Sequence, residues 1–185
     1  LADSVGEVID PIFSNIDSST GDILLLAIFG YGLQIYLDFT GYVDMARGIS
    51  RIMGIELSLN FNAPYLSTSI REFWTRWHIT LSQWLRDNLY IPLGGSKNGV
   101  YIHIFALMTT MTLGGLWHGA GLNFVIWGIL HGLYLIINIP LSVIKSYLHN
   151  YFISKNINKS FLNTLFIIIG WCLTILAVNY AWLYF

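Results

Sequence analysis

Between Val100 and Trp117 the chain carries no Asp, Glu, Lys or Arg, and 122–142 and 161–185 are equally free of them. A fourth apolar stretch, 23–46, opens with Ile23-Leu24-Leu25-Leu26 and holds only Asp38 and Asp44. Each is close to the roughly 20 helical residues that cross about 30 Å of hydrocarbon. In that medium every backbone polar group must be satisfied internally, so such stretches are read as helices. Hydrophobic residues are 55% of the chain and charged residues 10%, against about 25% charged in a soluble domain. The sequence therefore predicts an all-α polytopic membrane protein with about four transmembrane helices and membrane lipid as its solvent. The net charge of −1 carries no nucleic-acid signal.

Charge distribution divides the chain further. Residues 1–22 form an acidic segment, with Asp3, Glu7, Asp10, Asp17 and Asp22 and no basic residue. Residues 23–142 hold three spans, 23–46, 100–118 and 122–142, and an interfacial or re-entrant region over 57–99. Residues 143–160 read as a basic loop with Lys145, Lys155 and Lys159, and 161–185 as a further span. Basic loops face the cytoplasm. Placing 47–99 and 143–160 inside requires an even number of crossings between them. A hairpin of the second and third spans, turning at Gly119–Gly121, supplies two, and a re-entrant pair is the alternative. Residues 1–22 then lie outside. The single cysteine, Cys172, permits no intramolecular disulfide and reads as a packed apolar residue. A start at Leu1 and an apolar end at Phe185 suggest a piece of a longer polytopic protein.

Within 57–99, Ser69-Ile70-Arg71-Glu72 matches a capping box, so a helix is expected from near Ser69 to about Asn88, with Phe73, Trp77 and Trp84 on one side. Two Trp-His pairs stand out: Trp77-His78 on this helix, and Trp117-His118 closing the second span. Imidazole at bilayer depth is costly, so by default it marks a site. A sheltered imidazole stays neutral and can accept a proton; the plain alternative is a histidine hydrogen-bonded within a helix bundle. His131 lies in Gly128-Ile129-Leu130-His131-Gly132, a G-x-x-x-G match that marks close helix packing. Asp44 has Arg47 within reach, whereas Asp38 sits deeper. Arg71, Arg76 and Arg86 serve either as inner-side anchors or as contacts for donor phosphates. Hydrolase elbows, zinc-protease helices and phosphate loops are absent. A soluble-acyltransferase histidine with aspartate five positions on also fails, since His78 meets Gln83 and His118 meets Asn123. No metal-ligand pattern is present.

Several strings taken together resemble one family. They are Tyr36-Leu37-Asp38-Phe39-Thr40-Gly41-Tyr42, Asn60-Phe61-Asn62-Ala63-Pro64-Tyr65, Glu72-Phe73-Trp74 through Trp77-His78-Ile79, Trp84-Leu85-Arg86-Asp87 with Tyr90-Ile91-Pro92-Leu93-Gly94-Gly95, and Gly115-Leu116-Trp117-His118-Gly119. They resemble the membrane-bound O-acyltransferase (MBOAT) family, in the branch that O-acetylates bacterial polysaccharides such as alginate and peptidoglycan. The match covers about residues 30–140. One departure is Gly121-Leu122, where a bulkier residue is expected.

The resemblance implies a multi-pass acyltransferase of the bacterial inner membrane. It would carry an acetyl group from a cytoplasmic thioester towards hydroxyls of an extracytoplasmic polysaccharide. His118 would be the catalytic histidine, as general base or as a covalent acetyl carrier, and His78 would orient substrate or steady the oxyanion. Trp77, Trp117, Arg76, Asp38 and Asn123 are the candidate substrate- and donor-binding residues. No bound cofactor is expected; acetyl-CoA is the expected donor substrate. A periplasmic acetyltransferase- or esterase-like protein is the expected partner. Competing readings are a D-alanyl transferase of the sister branch, a transporter or proton-coupled channel using His118, His103 and Asp38, and a structural membrane subunit.

Overall fold

The computed structural model describes residues 1–155 and 157–185. Among them the regular structure is helical and no strand occurs. The chain divides into two units, Leu1–Asn60 and Phe61–Phe185.

The first unit is a helical hairpin of α1 (Ala2–Ser14) and α2 (Gly21–Ile52), joined by a 3-10 turn at Ile16–Ser18. Two glycines set the approach. A side chain at Gly30 would meet Ile9 Cγ2 at 2.8 Å, and one at Gly6 would meet Gln34 Nε2 at 2.8 Å. Phe13 packs edge-on against Tyr31 at 6.0 Å. The acidic segment 1–22 is thus largely a helix docked by an apolar face that includes Ile9 and Phe13, with Asp3, Glu7 and Asp10 exposed. At 32 residues α2 outruns the 23–46 span and is about 48 Å long. Its C-terminal half carries the expected Asp44–Arg47 pair at 3.7 Å.

In the second unit α5 (Val100–His118) and α6 (Leu122–Ser154) form the hairpin expected from the turn at Gly119–Gly121. The crossing is a glycine contact. A Cβ on Gly128 would land on the Met111 carbonyl oxygen and lie 2.9 Å from Thr112 Cα; one on Gly115 would land on the Phe124 carbonyl oxygen. Gly132 seats against Met108, where a Cβ would meet Sδ at 2.8 Å. The G-x-x-x-G around His131 therefore serves close packing, as small residues do where no hydrophobic force separates helix from lipid. Helix α7 (Lys159–Trp182) is tied to the 61–70 segment. Trp171 Nε1–H donates to the Tyr65 carbonyl at 2.8 Å, and Trp182 Nε1–H donates to the Tyr65 hydroxyl at 3.1 Å.

Two expectations are corrected here. The segment 143–160 is mostly not a loop, because α6 continues past Pro140 to Ser154. Hydropathy falls after Ser142, but helical hydrogen bonding does not need apolar side chains. The polar extension is held against α7 by His149 Nε2 and Asn163 Oδ1 at 2.8 Å and by Lys145 over the Phe166 ring at 6.0 Å. The expected helix from Ser69 to Asn88 is broken into α3 (Ile70–Arg76), α4 (Ile79–Leu85) and a π-helical turn at Arg86–Tyr90. Trp77 is extended at the break (φ −100°, ψ 130°) and His78 is left-handed (φ 40°, ψ 57°). Packing drives the break: Trp77 leaves the helix to stack on Phe73 at 5.5 Å and to meet Phe61 and Trp182, each at 5.0 Å. Trp84 consequently does not share the Phe73–Trp77 face and is 55% exposed.

The capping box is present at the start of α3. Ser69 Oγ accepts from the Glu72 backbone N–H at 3.1 Å. The Glu72 carboxylate reaches one residue further back than a standard box, to the Thr68 N–H at 2.7 Å and the Thr68 hydroxyl at 3.0 Å. Arg76 closes the set, one turn on, at 2.7 Å. Among the described residues, four helices (α2, α5, α6 and α7) are long and apolar enough to cross a membrane.

Candidate active site

The two Trp-His pairs, 40 residues apart in sequence, meet on one indole. His118 lies 5.0 Å from the Trp117 ring and His78 lies 6.3 Å from the same ring, both edge-on. His118 is delivered by the last turn of α5, where the glycine contact with α6 fixes the end of the helix. His78 is delivered by the α3–α4 break. Its left-handed backbone is uncommon for a residue with a side chain, and such conformations concentrate at functional sites.

Around His118 the walls are aromatic. Phe185 is 4.7 Å away, Trp127 5.3 Å and Phe124 6.3 Å, centroid to centroid. His118 is partly exposed and Trp117 is 64% exposed, so the imidazole forms one side of an aromatic cup that remains reachable. Burial holds the His78 imidazole below its ordinary pKa, which keeps the ring neutral near pH 7. An imidazole can accept a proton or donate a hydrogen bond, so two beside one indole can divide those tasks, as acyl transfer to a hydroxyl requires.

The other candidates are distributed differently. Trp77 is a core residue, 4% exposed, stacked beneath the site rather than lining it. Arg76 is paired to Glu72 and also donates to the Asn62 carbonyl at 3.5 Å. Asn123 is exposed on the first turn of α6, its amide folded back over Gly121. Asp38 belongs to the other unit, on an exposed position of α2. Ser82 Oγ donates to the Trp77 carbonyl at 3.1 Å. Phe124, Trp127 and Phe185 were not singled out from sequence. Phe124, Trp127 and His131 follow one another at i, i+3 and i+7, a single α6 face whose aromatic content was the available signal.

Comparison with known proteins agrees with the motifs. The family model for the membrane-bound O-acyltransferase family, MBOAT, matches residues 16–182. A probable alginate O-acetylase, AlgI, of Pseudomonas aeruginosa is 43% identical over 185 residues, 100% of this chain and 32% of that protein. The peptidoglycan O-acetyltransferase of Helicobacter pylori is 40% identical over 185 residues, 100% of this chain and 33% of that protein. The teichoic acid D-alanyltransferase of Bacillus subtilis is 36% identical over 114 residues, 58% of this chain and 29% of that protein. The chain thus spans about a third of the length of the curated relatives it matches. A family match over nearly the whole chain and four helices able to cross a membrane agree with each other: this chain belongs to the membrane-bound O-acyltransferase family.

Proposed function

We propose that this chain is the His118-bearing part of an O-acetyltransferase of the bacterial inner membrane. That enzyme moves an acetyl group from acetyl-CoA on the cytoplasmic side to hydroxyls of an extracytoplasmic polysaccharide. The observation that carries the reading is the convergence of His118 and His78 on Trp117. In the proposed step the acceptor hydroxyl oxygen attacks the thioester carbonyl carbon while His118 removes its proton. The C–S bond then breaks, and the thiolate leaves and takes up a proton. General-base help of this kind is worth about 10²–10⁴-fold. His78 donates an N–H to the oxyanion.

Acetyl rather than D-alanyl transfer is favoured because the acetyltransferase relatives are 43% and 40% identical over the whole chain, whereas two D-alanyltransferases are 36% and 34% identical over 58% and 75% of it. Donor phosphates are assigned to Arg71. Arg76 and Arg86 are occupied by Glu72 and Asp87, whereas Arg71 has no ion-pair partner among the described residues. Arg71 also lines a cavity of about 260 Å³ with Trp74, Ser82 and Thr110. The basic residues of 47–99 and around Lys155 are placed inside, and the turn at Gly119 outside or within the membrane. A periplasmic esterase-like protein is the proposed partner that passes the acetyl group on.

The test uses membranes holding the full-length protein, labelled acetyl-CoA and the polymer fraction. His118→Ala at wild-type protein levels is expected to abolish labelled ester. Undiminished ester formation refutes the reading, and solute movement without ester indicates a transporter.

A further inference from the structure

His131 lies at the centre of the second unit, and the proposed reaction does not use it. It is fully buried, 0% exposed, on the α6 face that also presents Trp127. Its Nδ1 accepts a hydrogen bond from Trp74 Nε1–H at 3.3 Å. Indole nitrogen is donor only, so Nδ1 must carry a lone pair and the imidazole proton must sit on Nε2. The interaction therefore selects one tautomer and one ring orientation.

From that fixed ring two aromatic routes lead to the two Trp-His pairs. One runs through Trp127, 4.7 Å from His131 and 5.3 Å from His118. The other runs through Phe73, stacked on His131 at 6.4 Å and 9°, and on through Trp77 at 5.5 Å and 16°, the residue that precedes His78. Burying an imidazole and an indole N–H in a nest of rings costs desolvation that a phenylalanine would not incur. That cost is offset only if the hydrogen bond fixes something packing alone leaves free. Here α3 and α6 meet through the rings of Phe73, Trp74, Trp127 and His131, and the Trp74–His131 bond adds a directional contact between the two helices.

We propose that His131 is a positioning residue for His118, locked as the Nε2–H tautomer by Trp74 and setting the Trp127 wall against which the His118 ring rests. The proposal rests on the reading of His118 as the base, but part of its test does not. In full-length protein, Trp74→Phe and His131→Phe keep aromatic volume and remove the bond. Both are expected to lower kcat by about 10–100-fold, as misplacement of a reacting group by around 1 Å does, with the donor KM within about twofold. His131→Asn, whose amide oxygen can still accept from Trp74, is expected to recover part of kcat.

In histidine-15N-labelled samples the wild type is expected to show His131 with Nδ1 unprotonated. The His118 signals are expected to move in both phenylalanine variants. Unmoved His118 signals overturn the proposal whatever the activity does. A fall in melting temperature matching the fall in kcat, with no recovery in His131→Asn, shows a merely structural role and also overturns it. Acetylation surviving in His118→Ala strikes the reading of His118 alone and leaves the tautomer and ring-shift results to decide this inference.

Discussion

Gly128→Ala tests how tightly the site depends on the helix crossing beneath it. A methyl group at this position would lie 2.9 Å from Thr112 Cα and on top of the Met111 carbonyl oxygen, both backbone atoms that no rotamer change can move. Carbon atoms settle at about 3.5–4.0 Å, so α5 and α6 must part by roughly 0.6–1.1 Å. Overpacking of this kind costs about 1–3 kcal/mol. The displacement matters more than the energy. His118 rides on the end of α5 and its Trp127 wall on α6, one residue before Gly128, so the two separate together. A shift near 1 Å at a reacting group costs on the order of 100-fold in rate. Full-length Gly128→Ala is expected to unfold at lower denaturant and to lose about 100-fold in kcat for polymer acetylation. Gly48→Ala is the matched control, since nothing lies within 4 Å of its added methyl group. Wild-type kcat and stability in Gly128→Ala would show that the crossing does not set the site.

Two further outcomes follow from the α3 region. Ser69→Ala removes the side-chain acceptor for Glu72 N–H and is expected to cost about 1 kcal/mol of stability, measured by chemical denaturation of the membrane protein in detergent. Acidification is expected to loosen the same region. For Glu72, burial pushes the carboxyl up, but the Thr68 N–H, the Thr68 hydroxyl and Arg76 outweigh it and hold it below its ordinary value. Its contribution is present above the ordinary carboxylate pKa and is lost as pH falls through the lowered one. His78 is likewise held low, by burial, so unfolded chains bind its proton first and stability falls as pH drops below about 6.5. With the intrinsic pH dependence of exchange divided out, amide protection over 66–85 should therefore fall below the ordinary imidazole pKa through His78 and fall again below the ordinary carboxylate pKa through Glu72. The first fall should be smaller in His78→Asn, which tolerates the left-handed backbone without the titrating ring. Protection factors that stay constant through both ranges would contradict both assignments.

Much of this was legible in the chain. The spans starting at Gly21, Val100, Leu122 and Lys159 show in hydropathy because hydrocarbon allows only helices there. The Ser69 cap and the glycine contact at Gly128 show because each is a local chemical requirement. What the chain did not reveal depends on contacts distant in sequence. The break at Trp77-His78 overrides a helical pattern because Trp77 gains a stack on Phe73 and contacts with Phe61 and Trp182. For the same reason Trp77, expected at the substrate, belongs to the core. The extension of α6 to Ser154 was hidden because hydropathy reports lipid contact rather than hydrogen bonding. The cup around His118 needs Phe185, 67 positions away, which no local pattern links to it.

The central claim is that His118 and His78 serve one site through Trp117. The direct measurement is a double-mutant cycle on kcat/KM for polymer acetylation, using full-length wild type, His118→Ala, His78→Ala and the double variant at matched membrane levels. Residues acting as a unit are strongly non-additive. The double variant is therefore expected to lose little more than His118→Ala alone. Losses that multiply independently would place the two histidines in separate roles and contradict the shared site.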